Sequence, residues 1–406
     1  MSRYLFVVPP LVGHINPAVG VAAALAARGH QVAWVGHAGL IARLAGPETT
    51  VLRRREPEYG RLATERPSEL RGPAALKFLW EDFLIPLADA MTPQIQAAVE
   101  DFSPDALVVD QQAVAGAVVA MRCGIPWASS ATTAAELSDP LRSMPKVAAW
   151  VRGLLLDLEV RNGLPTTPAS QRYQRKYGDL RFSPRLVIVY STAALSGGVD
   201  ELHGIVRFVG PSITKRPGDE AFPWDRLPQG RPIVLATVGT VNSKAGASLL
   251  ALCVDAIAAS PHVFGIVVDP NGVITAKPPN VMSAPHVPQL EVLRRADSAI
   301  CHAGQNTVCE ALYHGVPLVM APIRDDQPIV AQQVTAAGAG LRLRFAHSTA
   351  DDVRTALDRV LTEPAFGQAA RSIARSFHEA GGADAAATHL ERLLSAQPTE
   401  TCEQGR

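Results

Sequence analysis

Short apolar runs alternate with helix-like stretches along most of the chain. The first apolar run is YLFVVPP at Tyr4 to Pro10, and the helix that follows it is predicted to end near Gly29. Further strands are predicted at Gln31 to Gly36 and at Asp105 to Asp110. A regular alternation of strands and helices is typical of parallel sheets covered by helices on both faces. The pattern therefore predicts an α/β protein.

Residues that favour the start or end of a helix refine the bounds of these elements. Asn16 and Pro17 predict the start of the first helix, because asparagine is a good N-cap and proline is favoured in the first helical turn. A second series of strands begins at IVLATVGT, and the last helical stretch is predicted from about Ser348 to Leu394. Two regions between the strands, residues 50–100 and 131–182, have fewer strand signals and are expected to be inserted helices and loops.

The length of the chain, 406 residues, exceeds what one hydrophobic core usually supports, so two domains are expected. Arg207 to Pro232 is dense in proline, glycine and charge, which is typical of a linker. The predicted organisation is an N-terminal domain at 1–212, a linker at 213–232, a C-terminal domain at 233–380, a final helix at 381–395 and a polar tail at 396–406.

Composition excludes several classes of protein. The 38 basic and 38 acidic residues leave no net charge to attract nucleic acid, and 47% hydrophobic content argues against disorder. No apolar run approaches the roughly 20 residues of a membrane helix, and the first strand lacks a basic leader, so a soluble protein is expected. Five scattered cysteines without metal-type spacing fit a reducing cytoplasm and make zinc improbable.

The segment CHAGQNTVCEALYHGVP concentrates polar residues between a strand and a helix. A strand that turns through Gly304 into a helix presents free N–H groups and the positive end of the helix dipole, which suits a phosphate. His302 precedes that helix, and Asn306 and Thr307 lie in its first turn. Glu310, on the same helix face, can accept hydrogen bonds from ribose hydroxyls. The order of groups predicts a nucleotide.

The alternative for this segment is that Asn306 and Thr307 cap the helix and Glu310 forms an ordinary exposed pair. The chain contains neither the GxxxxGK[ST] loop of ATP-binding proteins nor the GxGxxG fingerprint of NAD-binding proteins. ATP and NAD are therefore the less favoured nucleotides.

Three blocks in the second half carry a family resemblance. They are HVPQLEVL at His286 to Leu293, HAGQNTVCEALYHGVPLVMAP at His302 to Pro322, and DDQ at Asp325 to Gln327. Together they resemble the donor-binding signature of the UDP-glycosyltransferase superfamily. PPLVGHINPAVGVAAALAARGHQV, PDALVVDQQAVAGAVVAMRCGIP and VLATVGT extend the likeness over most of the chain. The resemblance implies a GT-B fold, in which two Rossmann-like domains face each other across a cleft and the final helix often crosses back to the first.

The resemblance also implies a contact for each part of a nucleotide sugar. The diphosphate contacts would be His302, Gly304, Asn306, Thr307 and Thr240, those to the ribose and base Glu310, Gln289 and Val287, and those to the sugar Asp326 and Gln327. One position departs from the family pattern, because His286 stands where many relatives have a tryptophan that stacks on uracil. Imidazole stacks more weakly, so the choice between UDP and dTDP stays open.

Sugar transfer needs a base that takes the proton of the attacking hydroxyl. His14 follows the first strand and Asp110 ends a later one, so both can emerge at the carboxyl edge of one sheet, where open α/β folds bind ligands. A carboxylate beside an imidazole fixes its tautomer. Both residues match the catalytic pair of the resembled family. The alternatives are an ordinary loop histidine and a helix N-cap for Asp110.

These residues predict an inverting transfer that needs no metal ion or other cofactor, because the helix start with His302 can stabilise the leaving diphosphate. Asp326 and Gln327 suit a richly hydroxylated sugar, which makes UDP-glucose the first choice of donor and a dTDP-deoxyhexose the second.

Aromatic residues of the first inserted region, Phe78, Trp80 and Phe83, predict a pocket for a hydrophobic acceptor. The alternative is that they are ordinary core. The resemblance is closest to bacterial enzymes that glycosylate natural products such as macrolides, and a monomer or homodimer is expected.

Three rival functions remain at this point. A nucleotide-sugar epimerase shares the two-domain architecture, but His14 and Asp110 fit transfer better. A non-catalytic binding or activator subunit usually lacks the base or the diphosphate histidine, and this chain has His14 and His302. A nicotinamide dehydrogenase is disfavoured by the missing fingerprint.

Overall fold

Two six-stranded parallel sheets organise the protein. The computed structural model describes residues 1–52, 67, 70–164, 180–197, 205–214, 216, 222–239, 245–276 and 278–395. The first sheet contains β1 Arg3–Val7, β2 Gln31–Val35, β3 Ala106–Asp110, β4 Trp127–Ala131, β5 Val187–Val189 and β6 Val206–Phe208. The second contains β7 Ile233–Thr237, β8 Phe264–Val268, β9 Val281–Ala284, β10 Ser298–Cys301, β11 Leu318–Met320 and β12 Gly340–Arg342. The predicted architecture of two parallel-sheet α/β domains is confirmed.

Helices cover both faces of each sheet. They are α1 Val12–Ala27, α2 Ala38–Ala45, α3 Gly72–Lys77, α4 Ile85–Phe102, α5 Ala115–Cys123, α6 Pro145–Arg161, α7 Ala193–Ser196, α8 Ala247–Ala258, α9 Gln289–Leu293, α10 Gln305–Tyr313, α11 Gln327–Ala336, α12 Ala350–Thr362, α13 Pro364–Ala380 and α14 Gly382–Ser395. A π-helical segment, Phe78–Leu84, joins α3 to α4, and short 3₁₀ turns lie at Ala134–Ser138 and Trp224–Arg226. Among the described residues no helix is both long and apolar enough to cross a bilayer.

The strand order explains where ligands can bind. In the first sheet it is β2-β1-β3-β4-β5-β6, and in the second β12-β11-β10-β7-β8-β9. The chain therefore leaves β1 toward one edge and returns to β3 on the other side, and it does the same around β7 and β10. Open α/β sheets bind ligands beyond the carboxyl ends of the strands at such switch points. Each domain thus has one preferred binding edge.

The first helix starts one turn earlier than the sequence predicted. It begins at Val12, with the extended residue Leu11 before it, and it contains Pro17 in its interior. The predicted start at Asn16 and Pro17 is therefore wrong. Proline has no N–H, so the carbonyl of Gly13 four residues earlier receives no hydrogen bond from position 17. The apolar face of this helix packs on the first sheet and overrode the local capping signal.

The final helix, α14, packs against α1 of the first domain. Its apolar side buries Leu390 and Leu393 in the core that α1 shares with the first sheet. At the rim Arg28 Nη1 lies 2.8 Å from Glu391 Oε2, and His30 Nε2 lies 3.0 Å from Glu391 Oε1. The predicted continuous helical stretch from Ser348 onward is divided into α12, α13 and α14, since Pro364 and the left-handed Gly381 interrupt it.

The chain crosses between the domains twice, and the two crossings touch. The segment after β6 leads to the second domain, and the turn between α13 and α14 leads back. The Gly382 N–H donates to the Val209 carbonyl at 2.6 Å. A Cβ on Gly210 would come 2.8 Å from the carbonyl oxygen of Phe377, so the two segments are in close contact.

Candidate active site

Three side chains meet at the carboxyl edge of the first sheet. His14 lies in the first turn of α1, Asp110 ends β3 and Thr132 follows β4. His14 Nδ1 lies 2.9 Å from Asp110 Oδ1 and 2.7 Å from Thr132 Oγ1, while the Thr132 hydroxyl donates to Asp110 Oδ2 at 2.8 Å. Because Nδ1 is held by two oxygens, Nε2 is the nitrogen left for another group. The structure brings together the two residues predicted as a base and its partner.

The surroundings of His14 favour its protonated form. Burial lowers the pKa of the imidazole, but the neighbouring carboxylates of Asp110, Asp326 and Glu136 raise it, and the net effect is a pKa above the ordinary value. Asp110 is fully buried, so its charge acts on the imidazole with little screening by water. A histidine in this setting can accept a proton and keep it.

His302 lies at the equivalent edge of the second sheet, directly after β10. Its side chain is buried, and its Nδ1 has no hydrogen-bond partner within the described part of the chain. Burial lowers its pKa to about 4. The ring is wedged between two glycines, because a Cβ on Gly239 or Gly304 would come within 2.7 or 2.5 Å of it. The site therefore holds a neutral imidazole that is ready for a ligand.

The start of α10 leaves its first N–H groups available. Its N-cap is Gly304, and no side chain caps it, so the alternative of Asn306 or Thr307 as cap is not observed. Thr307 is buried in the first turn. Asn306 Nδ2 instead donates to the Gly13 carbonyl at 2.7 Å. The first turn of a helix without a cap is a ready anion site.

Glu310 lies one turn further along α10 and is 4% exposed. Its Oε2 accepts a hydrogen bond from Gln289 Nε2 at 2.6 Å, and its Oε1 pairs with the guanidinium of Arg216. It therefore does not form the ordinary exposed pair of the alternative interpretation. Val287 is buried before α9, and His286 beside it is exposed. The residues predicted for ribose and base thus lie in one neighbourhood.

The two residues predicted for the sugar begin α11. Asp326 is its N-terminal flanking residue, and burial together with the adjacent Asp325 raises the pKa of its carboxyl to about 7. Gln327 Oε1 accepts hydrogen bonds from the backbone N–H groups of Ile323 and Arg324 at 2.8 and 3.1 Å. Gln327 therefore shapes the turn before α11.

The edges of the two sheets face each other. Asp326 and His14 influence each other's pKa, and the Asn306 side chain bridges from α10 to α1. The base edge of the first domain and the anion edge of the second therefore border one cleft.

The remaining predicted site residues are Thr240 and the aromatic residues of the first inserted region. Thr240 is outside the described residues. Trp80 and Phe83, on the π-helical segment, are 3% and 4% exposed and belong to the core of the first domain, while Phe78 packs against that core partly buried. The packing of Trp80 and Phe83 agrees with the alternative interpretation, in which they are ordinary core.

Sequence reasoning missed Thr132, Glu136 and Arg216. Thr132 had a usable signal, because it follows the strand WASSA, which pairs with the strand that ends in Asp110. That strand escaped notice because alanine and serine are weak strand formers. Arg216 lies in the predicted linker and carries no pattern that distinguishes it.

Comparison with known proteins shows which proteins this chain is similar to. Residues 231–381 match the family model described as UDP-glucoronosyl and UDP-glucosyl transferase. The 4'-demethylrebeccamycin synthase of Lentzea aerocolonigenes is 29% identical over 397 residues, which cover 90% of this chain and 93% of that protein. NDP-glycosyltransferase YjiC of Bacillus licheniformis is 27% identical over 396 residues, or 95% and 96% of the two chains.

A solved structure agrees over the same length. The glycotransferase of kitacinnamycin superposes with a TM-score of 0.74 at 26% identity and covers 97% of this chain and 98% of its own. Both domains and their order in the chain are therefore shared. The resemblance noted in the sequence is confirmed: the chain is a glycosyltransferase with the GT-B fold, and its residues 231–381 match the UDP-glycosyltransferase family.

Proposed function

We propose that the protein is an inverting, metal-independent enzyme that moves a hexose from a nucleoside-diphosphate sugar to a hydroxyl of a hydrophobic natural product. The observation that supports this most is the cleft in which the partly buried His14 faces the uncapped start of α10. A binding subunit has no need of the hydrogen-bonded group His14, Asp110 and Thr132.

His14 would act as the base through Nε2, since Nδ1 is held by Asp110 and Thr132. The acceptor oxygen forms a bond to the anomeric carbon while the bond from that carbon to the diphosphate oxygen breaks. The hydroxyl proton passes to Nε2, and the buried Asp110 stabilises the imidazolium that results. One displacement at the anomeric carbon inverts its configuration.

The leaving nucleoside diphosphate would be held by the start of α10. Its N–H groups and the positive end of the helix dipole stabilise the charge that develops on the diphosphate, and His302 Nδ1 supplies one further polar contact. Gly304, Asn306 and Thr307 belong to the same turn. A metal ion has no necessary task in this scheme, so turnover should persist in EDTA.

Glu310 would accept hydrogen bonds from ribose, with Gln289 beside it. Arg216 holds the other oxygen of this carboxylate, so a bound ribose has to share Glu310 with the guanidinium or displace it. Val287 and His286 are the proposed neighbours of the base. A single ribose-type hydroxyl is enough for Glu310, which therefore accommodates either UDP or dTDP.

The sugar would lie against Asp326 and Gln327. A carboxyl with a pKa of about 7 can donate or accept a hydrogen bond at neutral pH, which suits a hydroxylated hexose. UDP-glucose remains our first choice of donor and a dTDP-deoxyhexose the second.

The acceptor would bind on the side of the first domain. The relatives named for 4'-demethylrebeccamycin and kitacinnamycin favour a natural product as acceptor. Of the three predicted aromatic residues, Phe78 is the most exposed and therefore the first candidate contact.

Thermal unfolding with UDP, dTDP, NAD or no ligand tests the donor site, because a ligand that binds only the folded state raises the midpoint. A rise with UDP or dTDP and none with NAD is expected, and the larger rise names the base. The absence of a rise with both nucleotides would contradict the proposal.

His14→Ala tests the base, and the exposed His347 offers a matched control. We expect His14→Ala to lower kcat by roughly 10²-fold or more and His347→Ala to leave it unchanged. Turnover of His14→Ala within a few-fold of the parent would show that His14 is not the base.

A further inference from the structure

Pro17 frees a backbone carbonyl next to the proposed base. In a regular helix the N–H of residue 17 would donate to the carbonyl of Gly13, but proline has no N–H, and its ring pushes against that carbonyl. Gly13 directly precedes His14. The missing hydrogen bond therefore lies in the backbone that carries the imidazole.

The second domain supplies the missing donor. Asn306 Nδ2 lies 2.7 Å from the Gly13 oxygen, although the two residues are 293 positions apart in the chain. Asn306 is the second residue of α10, in the turn proposed to hold the diphosphate. A Cβ added to Gly13 would lie 3.6 Å from Nδ2, so the two helix starts approach each other closely.

We propose that Asn306 is a positioning residue that, through the carbonyl freed by Pro17, fixes the distance between the base and the donor. This inference rests on the proposed function of both helix starts. The base-bearing turn of α1 and the anion-binding turn of α10 belong to different domains, and this hydrogen bond connects their backbones directly. A displacement reaction requires the base and the anomeric carbon to be held at the right distance and orientation.

Proline at position 17 lowers the stability of α1, and this cost argues that Pro17 has a function. Proline in a helix interior loses a hydrogen bond and strains the preceding turn, so Pro17 weakens α1 at its most important end. An alanine at this position would be better for the helix. A purely structural role for Pro17 therefore predicts that its replacement stabilises the protein and leaves catalysis unchanged.

Pro17→Ala separates the two possibilities. It restores an N–H that competes for the Gly13 carbonyl, so we expect kcat to fall about tenfold. The Kd of UDP or dTDP should stay within about twofold of the parent, and the unfolding midpoint should stay equal or rise. Pro93, inside α4 of the same domain, is a matched control, and Pro93→Ala should leave kcat unchanged.

Asn306→Ala completes the test as a double-mutant cycle measured in kcat. If the two residues act through one hydrogen bond, adding Pro17→Ala to Asn306→Ala should change kcat less than about twofold. A kcat of Pro17→Ala within about twofold of the parent, or multiplicative losses in the double variant, would overturn the inference. If the parent binds neither UDP nor dTDP, the proposed function fails instead.

Discussion

Thr132 places its hydroxyl oxygen 2.7 Å from His14 Nδ1 and 2.8 Å from Asp110 Oδ2. The imidazole is therefore oriented from two sides, and its Nε2 can point only along one direction. Asp110 has a further donor in the backbone N–H of Gln112, at 2.8 Å from Oδ1. Because all of these groups are largely buried, losing one leaves another unsatisfied, which costs more than the bond itself.

Thr132→Val keeps the shape of the side chain and removes the hydroxyl. Hydrogen bonds to charged groups contribute about 1.5–3 kcal/mol, so we expect kcat to fall roughly tenfold or more. Thr132→Ser keeps the hydroxyl and should stay within a few-fold of the parent. The measurement is kcat of both variants across a range of pH. Equal activity of the two variants would show that the hydroxyl is not needed.

The lowered pKa of His302 predicts that nucleotide binding is coupled to the uptake of a proton. Burial lowers the pKa of His302 to about 4 from the ordinary value of 6.5, so it is neutral at pH 6. A diphosphate bound beside it raises the pKa, and binding should then take up a proton between about pH 4 and 6.5. Calorimetry of UDP-glucose or dTDP-glucose binding in buffers of different ionisation enthalpy measures this uptake.

His302→Gln, which cannot be protonated, is the control for that experiment and should show less uptake than the parent. Equal uptake in the two proteins would mean that the bound diphosphate does not act on His302. For folding the sign is the reverse, because folding releases a proton from His302 between about pH 4 and 6.5. The lowered pKa stabilises the fold above pH 6.5, and this contribution is lost as the pH falls toward 4.

Single residues were the easier part to predict from the sequence. Asp110 and His302 lie at strand ends and His14 lies in the first turn of the helix after β1, and in a parallel sheet these positions indicate a binding edge. Thr132 and Arg216 were hard to predict because they meet Asp110 and Glu310 only through tertiary contacts. Trp80 could not be assigned from the sequence because an apolar residue on an inserted helix looks the same whether it faces a pocket or the core.

At the level of elements, two kinds of interaction attach α14 to the first domain. Leu390 is fully buried between α14 and α1, whereas the ion pairs of Glu391 lie at the partly exposed rim. Burial of a leucine contributes more than an exposed ion pair, which is typically worth about 0–1 kcal/mol. The apolar stripe should therefore dominate the attachment.

Leu390→Ala is expected to lower the free energy of unfolding by about 2–5 kcal/mol, as other large-to-small core substitutions do. Leu394→Ala, at a half-buried leucine of the same helix, should cost clearly less, and Glu391→Gln about 1 kcal/mol or less. Urea unfolding measures all three. A larger loss in Glu391→Gln than in Leu390→Ala would show that the ion pairs hold the helix.

Elements were predicted well where the pattern was strong. The apolar runs that became β1, β3 and β7 are buried along almost their whole length, as strands covered on both faces should be. WASSA, which became β4, has no such run. The start of α1 was placed too late because the local chemistry of Asn16 and Pro17 competed with tertiary packing, and packing decided the outcome.

At the scale of the whole molecule, two domains followed from length and from the alternation of strands and helices. Their mutual placement did not, because it depends on contacts between residues hundreds of positions apart, such as Asn306 with Gly13. The cleft between the domains was predicted from the family resemblance, because the pattern of strands and helices alone could not predict it.

The contact between the two segments that connect the domains can be tested by replacing glycines with alanine. Gly210 and Gly230 both have φ of +74°, but a Cβ on Gly210 meets the Phe377 carbonyl oxygen at 2.8 Å, whereas Gly230 has nothing within 4 Å. Gly230→Ala should cost about 1–2 kcal/mol for its backbone conformation alone. Gly210→Ala should cost more, since the returning chain has to shift. Equal losses in urea unfolding would show that this contact is loose.

The hydrogen bond from Gly382 to Val209 has a mechanical consequence. Two covalent connections that touch at one place form a hinge, and the left-handed glycines at 210, 381 and 382 lie in this joint. We therefore expect the domains to swing less freely than two bodies on a single tether would. Opening of the cleft should then be a rotation about this joint, which brings the same two surfaces back together each time the cleft closes.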